Sequence, residues 1–336
     1  MRAPLNLALQ GGGAHGAFTW GVLDALLGES DFPIEGVSGT SAGAMNALCL
    51  AHGWMQGGRD GARRALADFW QAVAAQSAPF SLPKALQGSM APAMKMMLQW
   101  SDHLSPEQLN PLDLNPLRDV LHAQFDFERL RRECPIQLFI AATHANSGKV
   151  RIFRNPELSA DSFLASACLP TIHHTVTIDG EPYWDGGYSA NPAVFPLLHH
   201  CPSPDILLVL LTPLHYNETP YSATDIRQRL RELAFNATFL REMRMFAHMR
   251  EQIGTPRLPD WLPFGKFERR IARLRFHAIA GDHVLSEFPA ESKLAVNLPF
   301  FETLRDLGSQ HARRWLSAHR QDIGQRASLD LNRVFY

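Results

Sequence analysis

The chain has 336 residues, enough to bury a large core as one extended domain or as a domain with an appendage. With 46% hydrophobic residues, 19% charged residues and a formal net charge of −1, it has the composition of an ordinary globular protein, and no nucleic-acid partner is expected. The longest apolar run, residues 206–211, is far too short to span a bilayer. Met1-Arg2-Ala3-Pro4 leads straight into the first strand without a secretory pattern, so a cytoplasmic location is expected, with peripheral membrane contact left open. Cys49, Cys134, Cys168 and Cys201 show no C-x-x-C spacing and read as reduced structural residues.

Residues 6–10, Asn6-Leu7-Ala8-Leu9-Gln10, read as a buried strand that runs into Gly11-Gly12-Gly13-Ala14-His15-Gly16, and a helix is predicted over 17–27. Three consecutive glycines before a helix expose backbone N–H groups with no side chains in the way. They form a cradle for a phosphate or for the oxyanion of a tetrahedral intermediate. Gly11-x-Gly13-x-x-Gly16 also fits the dinucleotide fingerprint, which calls for an acidic residue at the end of the next strand. Glu35 lies instead at the start of that strand, residues 34–38. The strand ends in Gly39-Thr40-Ser41-Ala42-Gly43, a G-x-S-x-G motif followed by helix-favouring residues. A serine pinched between strand and helix sits on a sharp turn with its Oγ exposed. Gly39 and Gly43 are needed there because a Cβ would collide with the turn.

Residues 66–73 read as helix, and 79–116 as a proline-broken stretch containing the methionine-rich segment 90–100. Met94, Met97 and Leu98 share one face of a short helix there, either capping the core or forming an acyl-binding lid. Residues 136–143 and 149–153 are predicted as two strands of a hairpin through Asn146-Ser147-Gly148. Asp185-Gly186-Gly187 follows an aromatic run; Asp185 is either a plain turn residue or the base for Ser41. His199-His200-Cys201 are adjacent and cannot all face one ion, so no metal site is expected.

Taken together, these blocks resemble the patatin-like phospholipase family, from residue 5 to about residue 198. The match comprises the glycine loop 11–16, the elbow 39–43, the block Ala165-Ser166-Ala167-Cys168-Leu169-Pro170 and the turn 185–187, in the family's order. The resemblance implies an α/β fold, a three-layer sandwich with a mostly parallel central sheet. It implies a lipid acyl hydrolase (phospholipase A type) that works through an acyl-enzyme with a Ser41–Asp185 dyad. Gly11, Gly12 and Gly13 would form the oxyanion hole, supported by His15, Gly16, Gly39, Gly43, Gly186 and Gly187, with no cofactor. The family usually carries Arg before the last glycine of the loop, where this chain has His15. A neutral imidazole there removes a fixed positive charge.

Beyond residue 213 the resemblance fades. Residues 1–213 are expected to be the catalytic domain, and 214–336 a mostly helical extension that completes the core. A long helix is predicted over 225–253, with Ile226, Leu230, Leu233, Ala237, Leu240, Met243 and Phe246 near a 3.5 period. Pro256, Pro259 and Pro263 then break the chain around Trp261 and Phe264. A basic stretch follows at 266–275, and a last strand at 276–280. Residues 225–275 hold twelve Lys and Arg against six Asp and Glu, a local charge of +6 in a chain of −1, which points to an acidic surface. The expected partners are therefore a lipid substrate and an anionic membrane surface met through 225–275, with a homo-oligomer also open. Two other functions fit the residues: an α/β-hydrolase-type esterase, thioesterase or polyester depolymerase using Ser41–Asp185–His283, and a non-catalytic lipid-binding module.

Overall fold

Alternation decides the architecture. In β1 (Leu5–Leu9), Leu5, Leu7 and Leu9 enter one hydrophobic cluster while Ala8 enters another. A strand buried on both faces in this way belongs in the middle of a parallel sheet covered by helices on each side. A computed structural model describes residues 3–29, 31–76, 104–216, 218–253 and 265–336, with the side chains of residues 282, 283 and 290 outside the description. The methionine-rich segment 90–100, Trp261 and Phe264 all lie outside the described residues.

Among the described residues the sheet has eight strands. The others are β2 (Ile34–Thr40), β3 (Gln137–His144), β4 (Val150–Arg154), β5 (Val176–Ile178), β6 (Glu181–Asp185), β7 (Asp205–Leu210) and β8 (Arg275–Ala280). Their order is β5-β6-β3-β2-β1-β7-β8, with β4 on β3. The run from β3 to β8 is parallel, while β4 and β6 are antiparallel to β3 and β5 is antiparallel to β6. The β3–β4 pair is the expected hairpin, its tight connection helped by the left-handed Gly148 at φ +67°.

One face of the sheet is covered by α1 (Gly16–Glu29) and α2 (Ala42–Gln76), the latter broken at Gly57 and Gly58, and by the helix Leu298–His319. The last packs on α1 by backbone contact. A Cβ on Gly21 would lie 1.8 Å from the Arg305 carbonyl oxygen, and one on Gly308 would lie 2.0 Å from that of Phe18. The other face is covered by Phe195–His200 and by the long helix Ala223–Ile253. The C-terminal region thus contributes a strand to the sheet and a helix to each layer.

Two expectations are corrected here. The apolar series predicted on the long helix does not form one buried face. Asn236, Phe239, Met243, Phe246 and Ala247 are buried, whereas Ile226, Leu230 and Leu233 are exposed. At 100° per residue these groups fall on different sides, because the series runs in steps of three from Ala237 to Phe246 and each such step turns about 60° around the helix. The basic stretch is only partly a surface, with Lys266 and Arg273 exposed. Arg269 is buried, Arg270 donates to the Cys201 carbonyl, and Arg275 pairs with the buried Asp205 at 2.7 Å.

Candidate active site

The first two parallel strands end at the same edge of the sheet, and their extensions carry the candidate residues. Ser41 lies between β2 and α2 at φ +54°, a left-handed conformation that a side chain other than glycine or asparagine rarely adopts. The turn is held from three directions. The Ser41 N–H donates to Ser166 Oγ at 3.0 Å, and Ser166 Oγ donates to the Ala141 carbonyl at 2.6 Å. The Thr40 hydroxyl donates to the Ala190 carbonyl at 2.7 Å. The third constraint is steric: Cβ atoms on Gly39 and Gly43 would lie 2.6 Å from the Gly43 oxygen and 2.2 Å from the Leu9 oxygen. No side chain fits at either position, so the elbow sits flush on the end of β1.

Register brings Asp185 to this turn. Ala141 of β3 pairs with Thr40, and the next residue, Ala142, pairs with Asp185. Neighbouring positions of one strand therefore fix both partners. The Asp185 N–H donates to the Cys168 carbonyl at 2.7 Å, and the Thr143 hydroxyl donates to the Asp185 carbonyl at 2.8 Å. Its carboxylate accepts the Gly187 N–H at 2.7 Å and is hydrogen-bonded by Ser41. Burial nevertheless dominates and pushes the carboxyl up to about 7, against the lowering effect of those two donors. Gly186 and Gly187 are packing glycines. Their Cβ atoms would meet the Ala141 oxygen at 2.2 Å and the Phe235 ring at 2.3 Å.

The glycine loop abuts the same turn. A Cβ on Gly11 would lie 2.8 Å from Cβ of Ser41, and one on Gly16 would lie 2.5 Å from Cβ of Ala42. The Gly11 N–H is already taken, donating to Asn191 Oδ1 at 2.7 Å. No protein acceptor among the described residues takes the N–H groups of Gly12 and Gly13, in the loop that abuts Ser41. Gly13 has φ +58°, the left-handed region that turns its amide against the run of the chain.

His15 is buried, its Nε2 lies 2.7 Å from the Ser292 hydroxyl, and its ring packs against Phe288 and Phe300. Burial, reinforced by the charge of Lys293, lowers its pKa to about 4, so the imidazole is neutral at neutral pH.

Some predicted residues lie away from this cluster. The backbone of His283 follows β8 in the short helix Asp282–Leu285. Two strands, β1 and β7, stand between β8 and β2, a separation of about 14 Å at ~4.8 Å per strand. Glu35, the acid the dinucleotide fingerprint would need, accepts the Ser203 N–H at the opposite end of β2, at 2.7 Å. His199 and His200 stack on different rings, Phe267 and Phe139, and Cys201 is buried. Among the described residues no helix is long and apolar enough to cross a membrane.

Three positioning roles escaped the sequence reading, although Ser166 itself lies in the matched block 165–170. Asn191 holds Gly11, and Ser166 holds the Ser41 amide. Asn46 donates to the Gly16 carbonyl at 3.0 Å while accepting from Trp70 Nε1 at 3.1 Å. The Asn191-Pro192 pair just after the Asp185 turn was the available signal for the first of these.

Comparison with known proteins follows the same lines. The family model described as patatin-like phospholipase matches residues 7–198. No curated protein sequence matches the chain significantly. Among solved structures, the chain is similar to VipD from Legionella pneumophila, at 14% identity and a TM-score of 0.43, over 95% of this chain and 67% of that one. It is also similar to the type III effector ExoU, at 16% identity and a TM-score of 0.33, over 93% of this chain and 53% of ExoU. For full-length ExoU of Pseudomonas aeruginosa in complex with SpcU the values are 14%, 0.31, 94% and 54%. The chain thus spans about half the length of the ExoU chains it matches. From the motifs, their order and the match over more than half of its length, the chain belongs to the patatin-like phospholipase family, a family of lipid acyl hydrolases.

Proposed function

We propose that the protein hydrolyses carboxyl esters of lipids, phospholipids among them, with Ser41 as nucleophile and Asp185 as its base. One observation carries the reading. The Asp185 carboxylate is buried, raised to about 7, and hydrogen-bonded to a serine held at positive φ. A carboxylate with an ordinary pKa of about 3.9 is a weak base for a hydroxyl. At about 7 Asp185 is matched to neutral pH and needs no histidine relay.

In the first half-reaction Asp185 takes the Ser41 proton while Oγ bonds to the ester carbonyl carbon. The negative charge moves to the carbonyl oxygen, where the Gly12 and Gly13 N–H groups and the N-terminus of α2 oppose it. Collapse of the intermediate breaks the C–O bond, and the leaving alcohol takes the proton from Asp185. Water then attacks the acyl-enzyme, giving a proton to Asp185, and the acid departs as Ser41 recovers its hydrogen. Bilayer substrate would be met through the exposed part of the positively charged segment 225–275.

A fluorophosphonate probe tests the assignment: it should label Ser41 in the native protein and fail with Ser41→Ala. Hydrolysis should fall by a factor on the order of 10⁴ in Ser41→Ala and nearly as far in Asp185→Asn. Labelling that persists without Ser41 would refute the proposal.

A further inference from the structure

The long helix Ala223–Ile253 has two faces with different chemistry. Its inner face forms a wall of the candidate site. Glu232 pairs with Lys293 at 3.3 Å and accepts the Tyr216 hydroxyl at 2.8 Å. The Phe235 ring lies 4.5 Å from that of Tyr188, beside the Asp185 turn, and Asn236 accepts from Gln10 at 3.2 Å.

The outer face of the same turns is apolar and open to solvent. Ile226, Leu230 and Leu233 follow one another at i, i+4 and i+7 with exposures of 41%, 60% and 46%, and exposed Ala234 and Ala237 extend the row. Tyr221, just before the helix, is 91% exposed. An amphipathic helix that packs by its other side has no folding reason to align leucines outward, so a stripe of this kind marks a contact surface.

Charge selects the partner. The helix carries six arginines and four carboxylates, but the two mid-helix carboxylates are turned inward. Glu232 is held by Lys293, and Glu242 accepts the backbone N–H groups of Val194 and Phe195. Arg227, Arg241 and Arg244 are exposed, so the outer side is apolar with a positive excess, bounded by acidic residues only at Asp225 and Glu251.

We propose that this outer face, Ile226, Leu230 and Leu233 with Arg227 and Arg241, is a docking surface for an anionic lipid bilayer. The leucines would enter the headgroup boundary and the arginines would meet lipid phosphates. This moves the membrane contact from the 266–275 stretch, where Arg269 is buried and Arg270 and Arg275 are bonded to Cys201 and Asp205, to the first half of the long helix. The proposal rests on the lipid-ester reading above only for the identity of the substrate; the docking itself does not require Ser41.

The test uses the full chain and two variants, Leu230→Asp/Leu233→Asp and Arg227→Glu/Arg241→Glu, each first checked by circular dichroism for an unchanged melting curve. Co-sedimentation is measured with phosphatidylglycerol/phosphatidylcholine vesicles and with phosphatidylcholine alone, alongside hydrolysis of a soluble short-chain ester. The native protein should bind the anionic vesicles in a salt-sensitive way. Both variants should lose binding on the order of tenfold or more while soluble-ester turnover stays at the native level. Vesicle binding equal to native in both variants overturns the proposal. So does a native dimer, seen by sedimentation velocity, that Leu230→Asp/Leu233→Asp dissociates, since the stripe would then be a face between two copies. Absent ester turnover in the native protein, with vesicle binding intact and lost in the variants, would count against the proposed chemistry and leave the docking surface standing.

Discussion

The backbone carbonyl of Lys293 presses on Gly13: a Cβ at Gly13 would stand 2.3 Å from that oxygen. A residue near the C-terminal end of the chain therefore closes over the glycine loop, and Gly13 tolerates it through both its missing side chain and its φ of +58°. Gly13→Ala must clear the carbonyl and abandon a left-handed conformation that costs an ordinary residue about 1–2 kcal/mol. The expected result is a folded protein, judged by circular dichroism, whose kcat on a soluble ester falls about a hundredfold, as when one oxyanion donor is removed. A fall in KM performance alone, with kcat retained, would show that the Gly13 amide does not face the reacting oxygen.

In the proposed mechanism Asp185 ties activity to pH. As the proposed base it must be ionised, and its carboxyl is pushed up to about 7 by burial. The expected profile of kcat/KM therefore declines about tenfold per pH unit below that value and levels off above it. A plateau extending down to pH 5 would mean that Asp185 titrates as an ordinary carboxylate or is not the base.

The same shift has the opposite sign for stability. The carboxyl is about 3.9 in the unfolded chain and about 7 in the folded one, so between these values the folded state holds the extra proton. Stability contributed by this group falls as pH rises through that window, and the full penalty, on the order of a few kcal/mol, is present above about 7. Asp185→Asn should consequently be inactive but raise Tm at pH 8, with only about a third of the free-energy gain at pH 5. Differential scanning calorimetry at the two pH values decides it.

Asn191 is the partner of the Gly11 amide at 2.7 Å. Asn191→Ala leaves that buried N–H without its acceptor, a loss of about 1–3 kcal/mol. Because the loop is positioned and not removed, kcat should drop by roughly tenfold with a small change in KM, while Asn191→Asp, which retains an acceptor, should recover part of it. Equal kcat in the alanine variant would assign Asn191 to fold stability alone.

His15 is neutral and hydrogen-bonded to Ser292, with a folded pKa of about 4 against ~6.5 when unfolded. Between these values the unfolded chain binds the extra proton, so the stability at stake is lost as pH falls below ~6.5. His15→Gln should keep a polar group near Ser292 and reduce this acid sensitivity, seen as a smaller drop in Tm from pH 7 to pH 5. His15→Ala should lower kcat about tenfold, roughly 1.4 kcal/mol of transition-state stabilisation. Activity unaffected by alanine would limit His15 to packing between Phe288 and Phe300.

The sequence by itself determined the strands β1 to β4 and β8, the elbow and the glycine loop, because each is a local demand of the backbone. The leucines of β1 alternate with a period of two, and Gly39 and Gly43 flank a turn that leaves no room for a Cβ. Order along the chain was enough to name Ser41, Asp185 and residues 11–13 as candidates. Only the tertiary structure decided which of the three glycine amides is free, because the acceptor that takes Gly11 lies 180 residues away. It also decided the chemistry of Asp185, since a pKa follows burial, which no local pattern records. The basic segment shows the same limit. Arg269, Arg270 and Arg275 read as surface charge in sequence, yet they are buried or bonded to Cys201 and Asp205. The long helix is the reverse case: Leu230 and Leu233 belong to its apolar series in sequence, yet they stand in solvent. Periodicity says that a helix has an apolar side; which side meets the sheet depends on what the rest of the chain leaves uncovered.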